Sequence, residues 1–413
     1  MRETVVDEAR RCLQCKNPMC RQGCPVNTPI RDAIKLLREN NIQDAGELLF
    51  ENNPLSLVCS FVCPQENQCE GHCVLGRKGI PVPIGSIENY ISDYYLNIYE
   101  PKKVVKNGMK VAIIGSGPAG ITIAFLLSRR GYDVTIFESR DKIGGVLRYG
   151  IPEFRLPKSV LDRLKNVLIK SGVKIRPNTA IGTNLTIDDL QRDGYKSIFI
   201  GTGVWRPNTL KLEGESLGNV HYAIDYLKNP DVYELGNTVA IIGAGNTAMD
   251  VARTVLRHGS RNVTLVFNRN PEEITARKVE LDYALMDGAK IIYNKITKKF
   301  TEDGVILSDG KVNENGEVEE IENSEELLKT DSVIIAIGQG PKSVIVSSTK
   351  GIEVGNKGLV TVDEVGRTTR PGIFASGDVV TGAKTVVQAI RVSKKVADAM
   401  DEYMKNNWDL QGF

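Results

Sequence analysis

The sequence predicts an α/β protein: a helical, cysteine-bearing N-terminal segment, then two parallel-sheet units built on a strand, a glycine turn and a helix. Three observations carry this reading. All eight cysteines (Cys12, Cys15, Cys20, Cys24, Cys59, Cys63, Cys69 and Cys73) lie in the first 73 residues, and none follows. Beyond residue 110, short Val/Ile-rich runs alternate with glycine turns and helical stretches, which is how parallel sheets read. Two of those stretches resemble each other: "KVAIIGSGPAGITIAFLLSRRGYDVTIFE" from Lys110 to Glu138, and "TVAIIGAGNTAMDVARTVLRHGSRNVTLVFNR" from Thr238 to Arg269.

The totals exclude several functions. At 413 residues the chain is long enough for two or three domains that each bury a core. With 53 basic and 51 acidic residues the formal charge is +2, so no net field draws it to nucleic acid or an anionic membrane. The start, "MRETVVDEAR", lacks an apolar run, and no later stretch is apolar enough for a membrane helix. A cytoplasmic protein is expected.

The cysteines fall in two groups, "RCLQCKNPMCRQGCP" and "CSFVCPQENQCEGHC". Tight clusters in a cytosolic chain point to metal rather than disulfides. The first group ends in Cys24-Pro25, and a cysteine before proline commonly serves the other cluster in two-cluster ferredoxins. Zinc on two sets of four thiolates is the metal alternative. Between the groups, "TPIRDAIKLLREN" predicts a helix with Thr28 as its cap, Pro29 in the first turn, and Ile30, Ile34 and Leu37 on one face. A second helix is expected around Ala45, Leu48 and Leu49, ending before Asn53-Pro54.

Each repeated unit carries a dinucleotide-binding, Rossmann-type turn. In the first, Gly115, Gly117 and Gly120, with Pro118 and Ala119 between them, follow a buried strand and open a helix whose amides would face a pyrophosphate. Glu138, 23 residues after Gly115, ends the next strand, where a carboxylate accepts from ribose hydroxyls. In the second, Gly243, Gly245, Asn246 and Thr247 lead to Ala248, a small residue at the helix-packing position. No acid ends its strand; Arg269 stands there instead and could meet a 2′-phosphate, so NADPH and NADH both stay open.

"GIFASGDVV", with Gly377 and Asp378, looks like the second FAD-contact motif of flavoproteins that bind two dinucleotides. FAD then occupies the first unit and NAD(P)H the second. "SIFIGTGVWRP" and "SVIIAIGQGP", the latter with Gly338, resemble the strands through which such chains cross between domains. In "DKIGGVLRYGIPEFRLP", Gly145 lets the backbone approach the cofactor and Arg148 is a candidate phosphate contact; in "GAKTVVQAIR", Lys384 and Thr385 are candidate donors to the flavin ring. With no cysteine after Cys73, disulfide reductase chemistry is excluded.

In this order, "RCLQCKNPMCRQGCP", "VCPQENQCEGHCVLG", "GSGPAG", "GGVLRYGIPEFRLPK", "GAGNTAMD" and "GIFASGD" resemble the glutamate synthase small (beta) subunit family over nearly the whole chain. The resemblance implies an N-terminal helical, ferredoxin-like domain with two [4Fe-4S] clusters over residues 1–105. It implies an FAD domain over 106–235 and 331–413, with an NAD(P)H domain inserted at 236–330. Cys12, Cys15, Cys20 and Cys73 would hold one cluster; Cys24, Cys63, Cys69 and Glu88 the other, with Cys59 the alternative to Glu88. The implied chemistry moves electrons from NAD(P)H through FAD and the clusters to a partner catalytic subunit. It needs no acid–base residue, and His72, His221 and His258 stand in no recognisable catalytic setting. The partner would be glutamate synthase-like. Alternatives are the electron-input subunit of dihydropyrimidine dehydrogenase, whose relatives favour glutamine at position 88, and that of an electron-bifurcating NADH-dependent ferredoxin:NADP oxidoreductase. The last usually carries consecutive arginines where this chain has Asn268-Arg269. A zinc-stabilised interaction protein is the reading from another class.

Overall fold

The computed structural model describes residues 2–342 and 344–406; residues 407–413, expected at the end of the flavin domain, lie outside it. The chain forms two compact units: 1–147 with 153–204 and 341–413, and 148–152 with 205–340.

The first unit contains the helical segment and the first sheet. Helices Ile30–Arg38, Ile42–Asn52, Ser56–Val62 and Ile84–Ile98 surround an apolar core of Ile30, Ile34, Leu37, Leu49, Ile87 and Ile91. Packing is close enough that a Cβ on Gly46 would sit 2.4 Å from Tyr95 Cβ. One expectation fails here. Thr28 does not cap the first of these helices, because Pro29 occupies the N-cap position and the Thr28 hydroxyl turns to Cys24 instead, 3.2 Å from its Sγ.

The helical segment packs on the sheet without a break between domains. Phe50 meets Phe125 edge-on at 4.8 Å, and Arg129 pairs with Glu51. Five parallel strands form the sheet in the order 373–375, 195–200, 110–114, 133–137, 174–176. The strand feeding the first glycine turn, Lys110–Ile114, is central, with four of its five residues buried. The long helix Val386–Asn406 lies along the glycine-turn helix Pro118–Ser128, tied by Arg130 to Asp398 and by Tyr132 Oη donating to Asp401 Oδ1 at 2.6 Å.

The second unit repeats the plan. Its parallel strands run in the order 220–222, 332–335, 238–242, 262–266, 290–292, with Thr238–Ile242 central. A separate antiparallel sheet, built on the hairpin Lys295–Thr301 with Gly304–Val312, completes the unit. This unit is longer than the expected 236–330. Strands Val220–Tyr222 and Ser332–Ile335 hydrogen-bond into its sheet, and so bring residues 205–235 and 331–340 with them.

Candidate functional site

The first glycine turn is closed by contacts that only glycine permits. Gly115 has φ +98°, and a Cβ on Gly120 would lie 2.0 Å from the Gly115 carbonyl oxygen. Gly117 differs: nothing lies within 4 Å of where its Cβ would be. The second glycine thus faces open space at the start of helix Pro118–Ser128, where a pyrophosphate must approach the backbone. Pro118 and Ala119 are the first two residues of that helix. Across the turn, Gly144 N–H donates to Ser116 O (3.0 Å), and a Cβ on Gly145 would lie 2.9 Å from Gly117 Cα.

Glu138 is buried and fully engaged. Oε2 accepts from Ser116 N (3.0 Å) and Ser116 Oγ (2.5 Å), while Oε1 accepts from Arg140 N (2.9 Å) and Ser139 Oγ (3.3 Å). A ribose hydroxyl must share or displace a serine hydroxyl to reach it. Asp378, reached from the edge strand Ile373–Ala375, has its carboxyl pushed up to about 6 by burial, against the lowering effect of the Lys384 N–H donated to Oδ1 at 3.2 Å. Gly377 lies close to Ala119: a Cβ there would be 3.2 Å from Ala119 Cβ. Thr385 Oγ1 is buried without a hydrogen-bond partner. An orphaned hydroxyl beside an acid raised by burial, next to an open glycine turn, fits a bound flavin dinucleotide. Lys384 is exposed.

In the second unit Gly243 has φ +125° and Gly245 caps helix Asn246–Arg257, with Thr247 in its first turn and Ala248 fully buried. Asn246 Oδ1 accepts from Arg277 N at 2.9 Å, so Arg277 flanks this turn, a placement the sequence pattern did not indicate. Arg269 is already paired: its guanidinium donates to Glu273 Oε1 (2.8 Å) and to the Gly316 carbonyl (3.0 Å). A 2′-phosphate would compete with that carboxylate. Gly338 and Arg148, expected at the flavin, belong to the second unit, where Gly338 follows strand Ser332–Ile335.

The thiols gather in two groups. Cys12, Cys15, Cys20 and Cys73 line one pocket with Pro18, Ile30 and Ile34. Burial pushes the Cys20 thiol up to about 11, and Cys12, Cys73 and Cys15 add to the rise. In the other group Cys69 is raised by burial, then by Glu88 and Cys24; Cys63 is raised by its hydrogen bond with Cys59, then by burial, Glu88 and Cys69. Burial also raises Cys24, while the Thr28 hydroxyl and the N–H groups of Thr28 and Val26 pull it back. Glu88 keeps some accessible surface, yet burial pushes its carboxyl up to about 8. Cys59 is buried and accepts from Asn53 Nδ2 at 3.3 Å. Soft thiolates gathered in this way suit iron–sulfur clusters.

The comparisons agree with both halves of this geometry. Residues 109–393 match the pyridine nucleotide-disulphide oxidoreductase family, and residues 1–99 match dihydropyrimidine dehydrogenase domain II, 4Fe-4S cluster. Because the N-terminal match is to an iron–sulfur domain, the zinc alternative falls away. The chain is 35% identical to the NADPH glutamate synthase small chain of Halomonas elongata, covering 96% of this chain and 90% of that one. It is 34% identical to the NAD-dependent dihydropyrimidine dehydrogenase subunit PreT of Escherichia coli K12, covering 97% and 94%. Among solved structures, FprA of Mycobacterium tuberculosis in complex with NADPH superposes with a TM-score of 0.62 over 73% of this chain and 85% of that one, at 17% identity, a likeness of fold. The chain belongs to the glutamate synthase small-chain family, oxidoreductases in which an N-terminal 4Fe-4S domain precedes a pyridine-nucleotide body.

Proposed function

We propose that this chain is an electron-input subunit that binds FAD at the first glycine turn and NAD(P)H at the second. It delivers electrons through two [4Fe-4S] clusters to a catalytic partner of the glutamate synthase large-chain kind. The observation that carries this is the pairing, in one chain, of two sheets with a glycine turn on the central strand and two separate thiol groups. When bound, the nicotinamide supplies a hydride, the flavin a two-electron to one-electron step, and the clusters single-electron carriage.

The chain's own residues bind and orient. Gly117 leaves the pyrophosphate room beside the helix amides, Ser116 and Glu138 hold the turn in shape, and the free Thr385 hydroxyl supplies a donor. Cys12, Cys15, Cys20 and Cys73 form an outer ligand set; Cys24, Cys63 and Cys69 form an inner one that Glu88 completes, a reading supported by the charge of Glu88 acting on all three thiols. All four outer cysteines keep accessible surface, so the outer cluster faces the partner. The apolar side chain of Leu13, which lines the pocket of these cysteines, is 59% exposed at that exit. No helix among the described residues is long and apolar enough to cross a membrane, and the cytoplasm supplies the reduced thiols and nicotinamide this chemistry needs.

Anaerobic purification followed by flavin, iron and sulfide analysis tests the cofactor set, and NADPH and NADH compared as donors to a dye settle the nucleotide. Addition of a glutamate synthase large chain should then give glutamate from glutamine and 2-oxoglutarate. Product formation only with a pyrimidine-reducing partner would replace the glutamate synthase reading; a protein without flavin and iron would end both.

A further inference from the structure

The inner thiol group has a polar connection that its ligands do not require. Lys394, two turns along the C-terminal helix Val386–Asn406, donates from Nζ to the Asn52 carbonyl (2.8 Å) and to Asn52 Oδ1 (3.3 Å). Asn52 Nδ2 lies 3.5 Å from Thr28 Oγ1 and donates to it. The Thr28 hydroxyl then has its proton for Cys24 Sγ, 3.2 Å away. Thr28 is 4% exposed, and its hydroxyl does not cap the neighbouring helix. Each bond points the same way, from ammonium to amide to hydroxyl to sulfur, the arrangement in which hydrogen bonds strengthen one another. Burial pulls the Lys394 ammonium down, while the charges of Asp398 and Cys24 act to raise it.

We propose that Lys394, Asn52 and Thr28 are positioning residues that form a polarising relay and set the reduction potential of the cluster held by Cys24. The proposal rests on the reading of Cys24 as an inner-cluster ligand. Reduction adds negative charge to a cluster, and hydrogen bonds to its sulfurs stabilise that charge. An oriented hydroxyl backed by a cation therefore raises the inner cluster's potential and favours electron entry there. The relay starts on the helix that begins directly after Thr385, so it joins the flavin side of the unit to the inner cluster. A purely structural tie would need only the bond from Lys394 to the Asn52 carbonyl.

The test is an anaerobic potentiometric titration of the full-length holoprotein, followed by electron paramagnetic resonance, with iron and sulfide counted for each variant. Thr28→Val should lower the equilibrium constant for reducing the inner cluster about tenfold, equivalent to about 59 mV for one electron, and leave the outer cluster unchanged. Lys394→Met should shift it in the same direction by less, Lys394→Arg should restore it, and Thr28→Val with Lys394→Met should shift no further than Thr28→Val alone. Unchanged potentials at full iron content, or additive shifts in the double variant, overturn the relay. If Thr28→Val loses iron, the Lys394→Met potential decides alone. Full iron for both clusters in Cys24→Ser would instead overturn the ligand reading on which the relay rests.

Discussion

The two thiol groups use the same chemistry in opposite surroundings. Cys12, Cys15, Cys20 and Cys73 all keep accessible surface; in the other group Cys63 and Cys69 are buried, while Cys24 keeps some surface and its sulfur is tied to the Thr28 hydroxyl. A mostly buried group is held away from a partner's surface, while a more accessible one can meet a partner at short range. On the proposed ligand sets this difference would give the chain a direction, with charge entering at the inner group and leaving at the outer.

The sharpest way to break that contrast is to remove one ligand from each group. Cys69 sits in the apolar core with Ile30, Ile34, Ile87 and Ile91. Cys69→Ser should lose the iron of one cluster and also place a hydroxyl in that apolar core, costing about 1–3 kcal/mol. Cys20→Ser should lose as much iron with little loss of fold. Iron analysis and thermal unfolding on both variants check this; equal destabilisation would erase the inner–outer distinction. Chelation probes the same difference in the unaltered protein. With an oxidant and a chelator present, iron should leave in two phases, the outer cluster first, followed by its visible absorbance; a single phase would mean that burial does not protect the inner set.

A smaller effect sharpens the direction of exit. Leu13 follows Cys12 directly and is 59% exposed. Leu13→Glu should weaken partner binding about tenfold, roughly 1.4 kcal/mol, while NAD(P)H-driven dye reduction in the isolated chain stays unchanged. An unchanged affinity, measured by titration calorimetry with the partner, would place the exit elsewhere.

Much of the site is legible in local spacing, because its chemistry is local. Cys12-x-x-Cys15, the Gly115–Gly120 turn and Gly377-Asp378 each put their groups together within a few residues of chain. What resists reading is set by packing between distant segments. Thr28 precedes a helix and looks like its cap; only the fold shows Cys24 and Asn52 on either side of its hydroxyl. Lys394 and Asn52 lie 342 positions apart. Arg269 reads as a candidate phosphate contact, and only the fold shows that Glu273, four residues later, already pairs with it. The strands at 220–222 and 332–335 are short, and their place in the second sheet depends on partners far along the chain.

The smallest expected effect concerns Cys59, the eighth cysteine. Cys59 lies beside Cys63, so proximity alone would let it replace Glu88 in the inner set. Its surroundings argue otherwise. Its sulfur already accepts from Asn53 Nδ2, and Asn53, 1% exposed, uses its other end to accept from Leu55 N at 3.0 Å. The thiol thus closes a buried polar network, a task a hydroxyl performs equally well, whereas the charge of Glu88 acts on Cys24, Cys63 and Cys69 alike. Cys59→Ser should therefore keep iron for both clusters and change stability by less than about 1 kcal/mol. Cys59→Ala should also keep the iron, but it strands the Asn53 amide and should cost about 1–3 kcal/mol. Glu88→Ala should lose the inner cluster alone. Iron analysis of the three variants separates the two residues: loss of a cluster in Cys59→Ser with retention in Glu88→Ala would give Cys59 the ligand role and leave Glu88 a half-buried acid.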